Sequence, residues 1–181
     1  MMMNRGHFKE PPKKKLLHLV ALDYIMEFLK AMRKVQYYSL INRLRFFRLF
    51  CKLGFCIGYD VCDYGLGIPH YGTIVVRNTN RIGLCVVLHT SIYITDTGRR
   101  IGKGLSLSTG AKITGGEMLG DHIVVAANSV VTKSFPESNA LLVGMPAVKK
   151  TGWADWYSSL KDEMKRRVYE IEKLKTKLQF E

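Results

Sequence analysis

The sequence has no apolar run approaching the ~18 residues that a membrane-spanning helix needs. Its most apolar stretch, Leu16 to Leu29, is interrupted by His18, Asp23 and Glu27 and offers no small-residue cleavage site, so no secretory signal is expected. Cysteine is scarce. Cys51, Cys56, Cys62 and Cys85 form no C-x-x-C pair, and no histidine stands at zinc-ligand spacing from them. A disulfide framework is not expected without an export signal, and small buried hydrophobes are the expected role. Acidic residues are also few, 15 against 28 Lys and Arg, for a net charge of +13. The excess is uneven. Residues 1–52 carry 12 basic and 3 acidic side chains, residues 53–150 carry 9 and 6, and residues 151–181 carry 7 and 6. A basic segment of this kind suits a membrane surface or an acidic partner, or is a solvated helix face. No nucleic-acid-binding motif accompanies the charge.

What is present is ordinary for a globular chain. Hydrophobic residues make up 47% and charged residues 24% of 181 residues, which argues against intrinsic disorder and fits one core with terminal appendages. The informative feature is a repeat. From Ile101 an aliphatic residue recurs every six positions, at Leu107, Ile113, Leu119, Val125 and Val131. Upstream the same period runs through Val76, Ile82, Leu88 and Ile94, and a one-residue insertion near Thr97-Gly98-Arg99 separates the two registers. A period of six is neither helical nor simple alternation. It predicts a parallel β-helix, each aliphatic pointing inward and stacking on its equivalent one coil away. Small residues often follow the aliphatic, as in Ile82-Gly83, Ile101-Gly102, Leu119-Gly120 and Val125-Ala126, and are expected to permit tight turning.

The flanks predict helices over Leu16–Lys34, Tyr37–Cys51 and Trp153–Leu178, the last with a heptad-like stripe that seats on a partner or on the protein's own body. Three segments are therefore expected: a basic helical segment (1–52), a β-helical domain (53–150) and a C-terminal amphipathic helix (151–181).

Three further stretches carry a family resemblance. They are Gly65-Leu66-Gly67-Ile68-Pro69-His70-Tyr71-Gly72-Thr73-Ile74-Val75-Val76, Val125-Ala126-Ala127-Asn128-Ser129-Val130-Val131-Thr132-Lys133-Ser134-Phe135-Pro136, and Val143-Gly144-Met145-Pro146-Ala147. In this order on a hexapeptide repeat they resemble the serine acetyltransferase-like branch of the hexapeptide-repeat acyltransferases, and within it members found with capsule and surface-polysaccharide genes. The resemblance spans about residues 43–150. It implies a mainly β protein with a left-handed parallel β-helix, a homotrimer, and acetyl-CoA as cosubstrate in a groove between subunits, with no metal. It also implies a catalytic histidine six residues before an inward aliphatic, as His70 stands before Val76.

The chemistry fits that residue type. Acetyl transfer to a hydroxyl needs a base for the proton, donors for the oxyanion and two substrates held together. Imidazole accepts a proton near neutral pH. His89, directly after the inward Leu88, is the second candidate, for acceptor binding or a subunit interface. Arg99 and Arg100 are candidates for acceptor binding, partly standing in for an Arg-His pair that similar enzymes carry. On the CoA side, small Ala126, Ala127 and Ser129 would admit the pantetheine arm, and Lys133, Lys149 and Lys150 would meet phosphates. His122 falls in a repeat turn and is expected to be exposed.

Departures from the pattern bear on the acceptor. Serine acetyltransferases resembling this chain have an orienting Asp fifteen residues before the histidine, where this sequence has Phe55, and an Asp directly before it, where this sequence has Pro69. The loop after Gly98 is short. The expected activity is O-acetylation of a sugar or a surface-polysaccharide precursor. Serine O-acetylation for cysteine synthesis and a non-catalytic β-helical scaffold are the alternatives. The histidine spacings do not match a γ-carbonic anhydrase metal site. A cytoplasmic protein is expected, with possible peripheral contact of the basic N-terminal helices with the inner face of the membrane.

Overall fold

The computed structural model describes residues 24–35, 40–95, 98–151 and 162–178. Two helices come first, α1 (Tyr24–Lys34) and α2 (Leu40–Leu53). The parts of the expected helices at 16–23, 37–39 and 153–161 lie outside the described residues. Thirteen short strands follow, from β1 (Phe55–Ile57) to β13 (Ala147–Lys150), and α3 (Asp162–Leu178) closes the chain.

The strands wind into the expected parallel β-helix. Its first face is β1, β2 (Ile74–Val76), β5 (Ile92–Ile94), β8 (Lys112–Ile113) and β11 (Val130–Val131). The second is β3 (Arg81–Ile82), β6 (Arg100–Ile101) and β9 (Met118–Leu119). The third is β4 (Val87–Leu88), β7 (Ser106–Leu107), β10 (Val124–Val125) and β12 (Leu141–Gly144), with β13 added antiparallel. All ten aliphatics of the six-residue period are buried, none more than 5% exposed. They stack by face: Val76, Ile94, Ile113 and Val131 on the first, Ile82, Ile101 and Leu119 on the second, Leu88, Leu107 and Val125 on the third. Three hexapeptides thus make one coil. Ile113 and Val131, 18 residues apart, are partners, whereas Ile94 and Ile113 are 19 apart, which locates the inserted residue in that coil.

The small residues after the aliphatics have a different cause from the one expected. Gly83, Gly102 and Gly120 do not occupy the left-handed region. A Cβ at Gly83 would lie 2.8 Å from the Lys103 nitrogen, one at Gly102 2.7 Å from the Asp121 nitrogen, and one at Gly120 2.6 Å from the Glu137 carbonyl oxygen. Glycine is needed because successive coils touch backbone to backbone there.

The ends are sealed. Phe28 of α1 is fully buried between Phe46 of α2 and Phe55 of β1, each ring centroid 5.3 Å away. Ile25, Ala31 and Met32 extend the same apolar face of α1. At the far end, β12 and β13 form a hairpin around a cis Met145–Pro146 peptide. Helix α3 is tied to the coils by Lys103–Glu172 (3.0 Å) and Lys175–Asp63 ion pairs. Cys62 and Cys85 are buried as expected, Cys56 is half-buried, and Cys51 is exposed on the side of α2 opposite the buried Phe46 and Leu49. Burial raises the Cys62 thiol to about 12.

Candidate active site

The edge where the third face turns into the first carries the candidate residues. Each coil crosses it once, at residues 68–73, 89–91, 108–111 and 126–129. The first crossing holds His70, exposed on a bend between the buried Ile68 and Ile74. The bend lies hard against the next coil. Gly72 has φ +137°, and a Cβ there would come 2.0 Å from the Thr90 hydroxyl oxygen. No other residue type fits that position without moving Thr90.

The second crossing holds His89. Its backbone N–H donates to the Leu107 carbonyl at 3.1 Å, and its ring is half-buried. The two imidazoles face each other, centroids 5.8 Å apart and planes tilted by 41°. The His89 pKa is pushed below 6.5, chiefly by burial and secondarily by His70. His89 therefore favours the neutral form, able to accept or relay a hydrogen bond. The signal for this pairing was in the sequence: 19 residues separate the two histidines, about one coil.

The third and fourth crossings are lined by small residues. Ala126 is half-buried and Ala127 exposed. The ladder bonds His89 N to Leu107 O and Ser108 N to Val125 O put Ala126 two coil steps from His89, roughly 10 Å. Ser129 is turned inward instead. It is 1% exposed, and its Oγ accepts the Gly144 N–H at 2.9 Å, which ties the coil to the terminal hairpin. Lys133 is exposed with its Nζ 5.5 Å from the Phe135 ring centroid. Lys149 is exposed with its Nζ 3.5 Å from a Glu137 oxygen.

The arginines lie elsewhere. Arg99 is 1% exposed inside the coil; its Nη1 donates to the Thr95 carbonyl at 2.7 Å and its Nε to the Gly115 carbonyl at 3.3 Å. It anchors the inserted turn rather than opening to the histidine edge. Arg100 points outward from the second face into a cleft of about 640 Å³, shared with Arg33, Arg81 and Met118. In a three-faced coil, that face is opposite the histidine edge. Within one chain, neither arginine joins the histidines. His122 is half-buried rather than exposed, because its Nδ1 pairs with Asn139 Oδ1 (3.1 Å) one coil along.

No described carboxylate is bonded to either histidine. Phe55 is buried in the end seal. Asp60 pairs with Arg81 at 3.3 Å and Asp63 with Lys175, both toward the second face. Among the described residues, no group of three or more His, Cys, Asp or Glu is arranged to hold a metal ion.

No protein-family model matches the sequence. No curated protein is significantly similar to it either. Among solved structures, the chain is similar to the serine acetyltransferase of Neisseria gonorrhoeae, with a TM-score of 0.56 and 20% identity over 71% of this chain and 52% of that one. The same enzyme in complex with serine gives a TM-score of 0.54 and 23% identity over 71% and 55%. The chain thus spans about half the length of the structures it matches. At this identity the likeness is one of fold, and the chain shares the β-helical fold of these acetyltransferases.

Proposed function

We propose that this protein is an acetyl-CoA-dependent O-acetyltransferase acting on a sugar hydroxyl of a surface-polysaccharide precursor, with His70 as general base. The observation that carries the proposal is the His70–His89 pair on one edge of the coil, with the small residues Ala126 and Ala127 farther along it.

The reaction needs no covalent enzyme intermediate. His70 takes the proton from the acceptor hydroxyl as its oxygen attacks the thioester carbonyl. The C–S bond breaks, and the CoA thiolate recovers the proton from the imidazolium. The products are an O-acetyl ester and free CoA. His89, held neutral by burial, positions the acceptor or the His70 ring beside it. Backbone N–H groups at the crossings serve as oxyanion donors. The pantetheine arm runs along Ala126 and Ala127, and Lys133 and Lys149 meet the nucleotide phosphates as point charges. A homotrimer, as the family resemblance implies, would let a neighbouring copy form the opposite wall.

Release of free thiol from acetyl-CoA tests this against a panel of sugar acceptors. Wild type turns over with a sugar acceptor, and His70→Ala loses about 10²–10⁴-fold in rate while retaining its fold. Absence of turnover with every acceptor, from folded protein that binds CoA, contradicts the transferase. Serine O-acetylation is the second reading, favoured by the likeness to a serine acetyltransferase solved with serine. Turnover with L-serine and none with sugars would select it. Pro69 and Phe55 stand where similar serine acetyltransferases carry aspartates, and they favour the sugar.

A further inference from the structure

Helix α2 is apolar on two opposite sides. One side, Phe46 and Leu49, is buried against α1 and the first coil. The other faces water. Leu40 is 71% exposed, Ile41 76%, Leu44 57% and Phe47 54%. At 3.6 residues per turn, Leu40, Leu44, Phe47 and Cys51 fall within roughly 60° of one another, diametrically away from the buried side. Basic side chains flank this stripe, with Arg48 along one border and Arg43 along the other, while Arg45 and Lys52 lie farther round toward the buried side. Arg45 pairs with Glu27 and Lys52 lies 3.6 Å from the Tyr24 ring centroid, but Arg43 and Arg48 meet no described carboxylate.

From this geometry we infer that α2 seats the protein on an anionic phospholipid bilayer. An exposed apolar stripe bordered by arginine is the pattern of a helix lying in a membrane interface, its apolar side among the acyl chains and its cations at the phosphates. The charge argues for lipid over a second copy of the chain. Two copies meeting through this stripe would bring the bordering Arg43 and Arg48 of each close together, whereas an anionic surface satisfies them. The chain before α2 adds to the attraction, since residues 1–39 are net basic, 8 against 3. Among the described residues no helix is long and apolar enough to cross a membrane, so the contact is peripheral.

The placement matters for the site. Helices α1 and α2 seal the first coil, and His70 and His89 lie in the first two crossings. A bilayer under α2 therefore lies at the end of the coil that carries His70 and His89, which suits an acceptor carried on a lipid. That last step rests on the acyltransferase proposal; the membrane contact does not.

Co-sedimentation of the full chain with vesicles tests it, comparing phosphatidylcholine alone with phosphatidylcholine containing phosphatidylglycerol. Binding to the anionic vesicles only is expected. Arg43→Gln with Arg48→Gln should weaken it roughly thirtyfold. Leu44→Asp and Phe47→Asp should each weaken it about tenfold or more. All these side chains already face water, so melting temperatures should hold; Leu44→Gln and Phe47→Ser are milder variants should the aspartates perturb folding. Absence of binding to anionic vesicles overturns the inference. So does binding that the Leu44 and Phe47 variants leave unchanged, since the attraction would then be electrostatic alone. A fall in particle mass in those variants, by light scattering and without weaker vesicle binding, would assign the stripe to a second copy and also overturn it. Acetyl transfer is read separately on a water-soluble acceptor, where the α2 variants should match wild type.

Discussion

Gly102→Ala separates two physical reasons for a glycine. If Gly102 only eased a turn, alanine would be accepted, because its φ is not in the left-handed region. The substitution would then stabilise by ~0.4–1 kcal/mol through the unfolded chain. The structure predicts the opposite sign. The new Cβ would lie 2.7 Å from the Asp121 backbone nitrogen and 2.2 Å from Asp121 Oδ1. Ordinary contact is ~3.5 Å or more, so the coils must part by roughly 0.8 Å. Gly102 N to Leu119 O and Lys103 N to Asp121 Oδ1, both 2.9 Å, would stretch beyond hydrogen-bonding length. Two such bonds are together worth ~1–3 kcal/mol. At mid-range, ~2 kcal/mol lost against ~0.7 gained, the net loss is ~1.3 kcal/mol, or roughly 3–5 °C in melting temperature for a chain of this size. Gly67→Ala is the control. Its nearest neighbours are 3.7 and 3.8 Å away and its φ is also outside the left-handed region, so it should be neutral or slightly stabilising. Thermal unfolding by circular dichroism reads both. A rise for both variants, or a fall for both, would refute the coil-contact argument.

Other predictions follow from the same geometry. Leu107 is fully buried and stacked between Leu88 and Val125, so Leu107→Ala should cost ~3–5 kcal/mol in urea unfolding, while Ser106→Ala, beside it but outward, should cost under ~1. His89 titrates below 6.5 in the folded protein, so the unfolded chain takes up a proton first as pH falls. Stability should therefore decline below pH ~6.5 until the folded-state pKa is passed, and His89→Gln should flatten that decline. In an NMR titration, His70→Ala should raise the His89 pKa only part of the way, because burial is the larger cause. The half-exposed Lys103–Glu172 pair should be worth under ~1 kcal/mol, measured as the loss in Glu172→Gln.

The six-residue period made the coil legible because each inward aliphatic must stack on its equivalent, and a slip of one residue would expose it. The insertion near Gly98 was legible for the same reason. The first coil was harder to see. Ile57 and Cys62 occupy inward positions there, but 19 residues separate Ile57 from Val76 and 20 separate Cys62 from Ile82, so the period breaks. His70 was found from its surrounding motif, while its pairing with His89 needed the coil length. Arg99 and Ser129 show the limit of type-based reasoning. Arg99 was expected to meet the acceptor and the small Ser129 to admit the pantetheine arm, but each side chain is turned inward by backbone groups that need a partner. The exposed stripe of α2, with Leu40, Leu44 and Phe47, read in sequence as part of an ordinary amphipathic scatter, because Phe46 and Leu49 of the buried side hid it.

The central claim is an acetyl-CoA-dependent transferase built on the histidine edge, and its donor half is open to one direct measurement. The melting temperature of the folded protein is taken with and without saturating CoA. Ligand at ~100 times its dissociation constant stabilises by ~2.7 kcal/mol, which here is roughly 5–11 °C. A rise of that order is the predicted result. An unchanged melting temperature at millimolar CoA would contradict the account and favour a β-helical scaffold without catalysis.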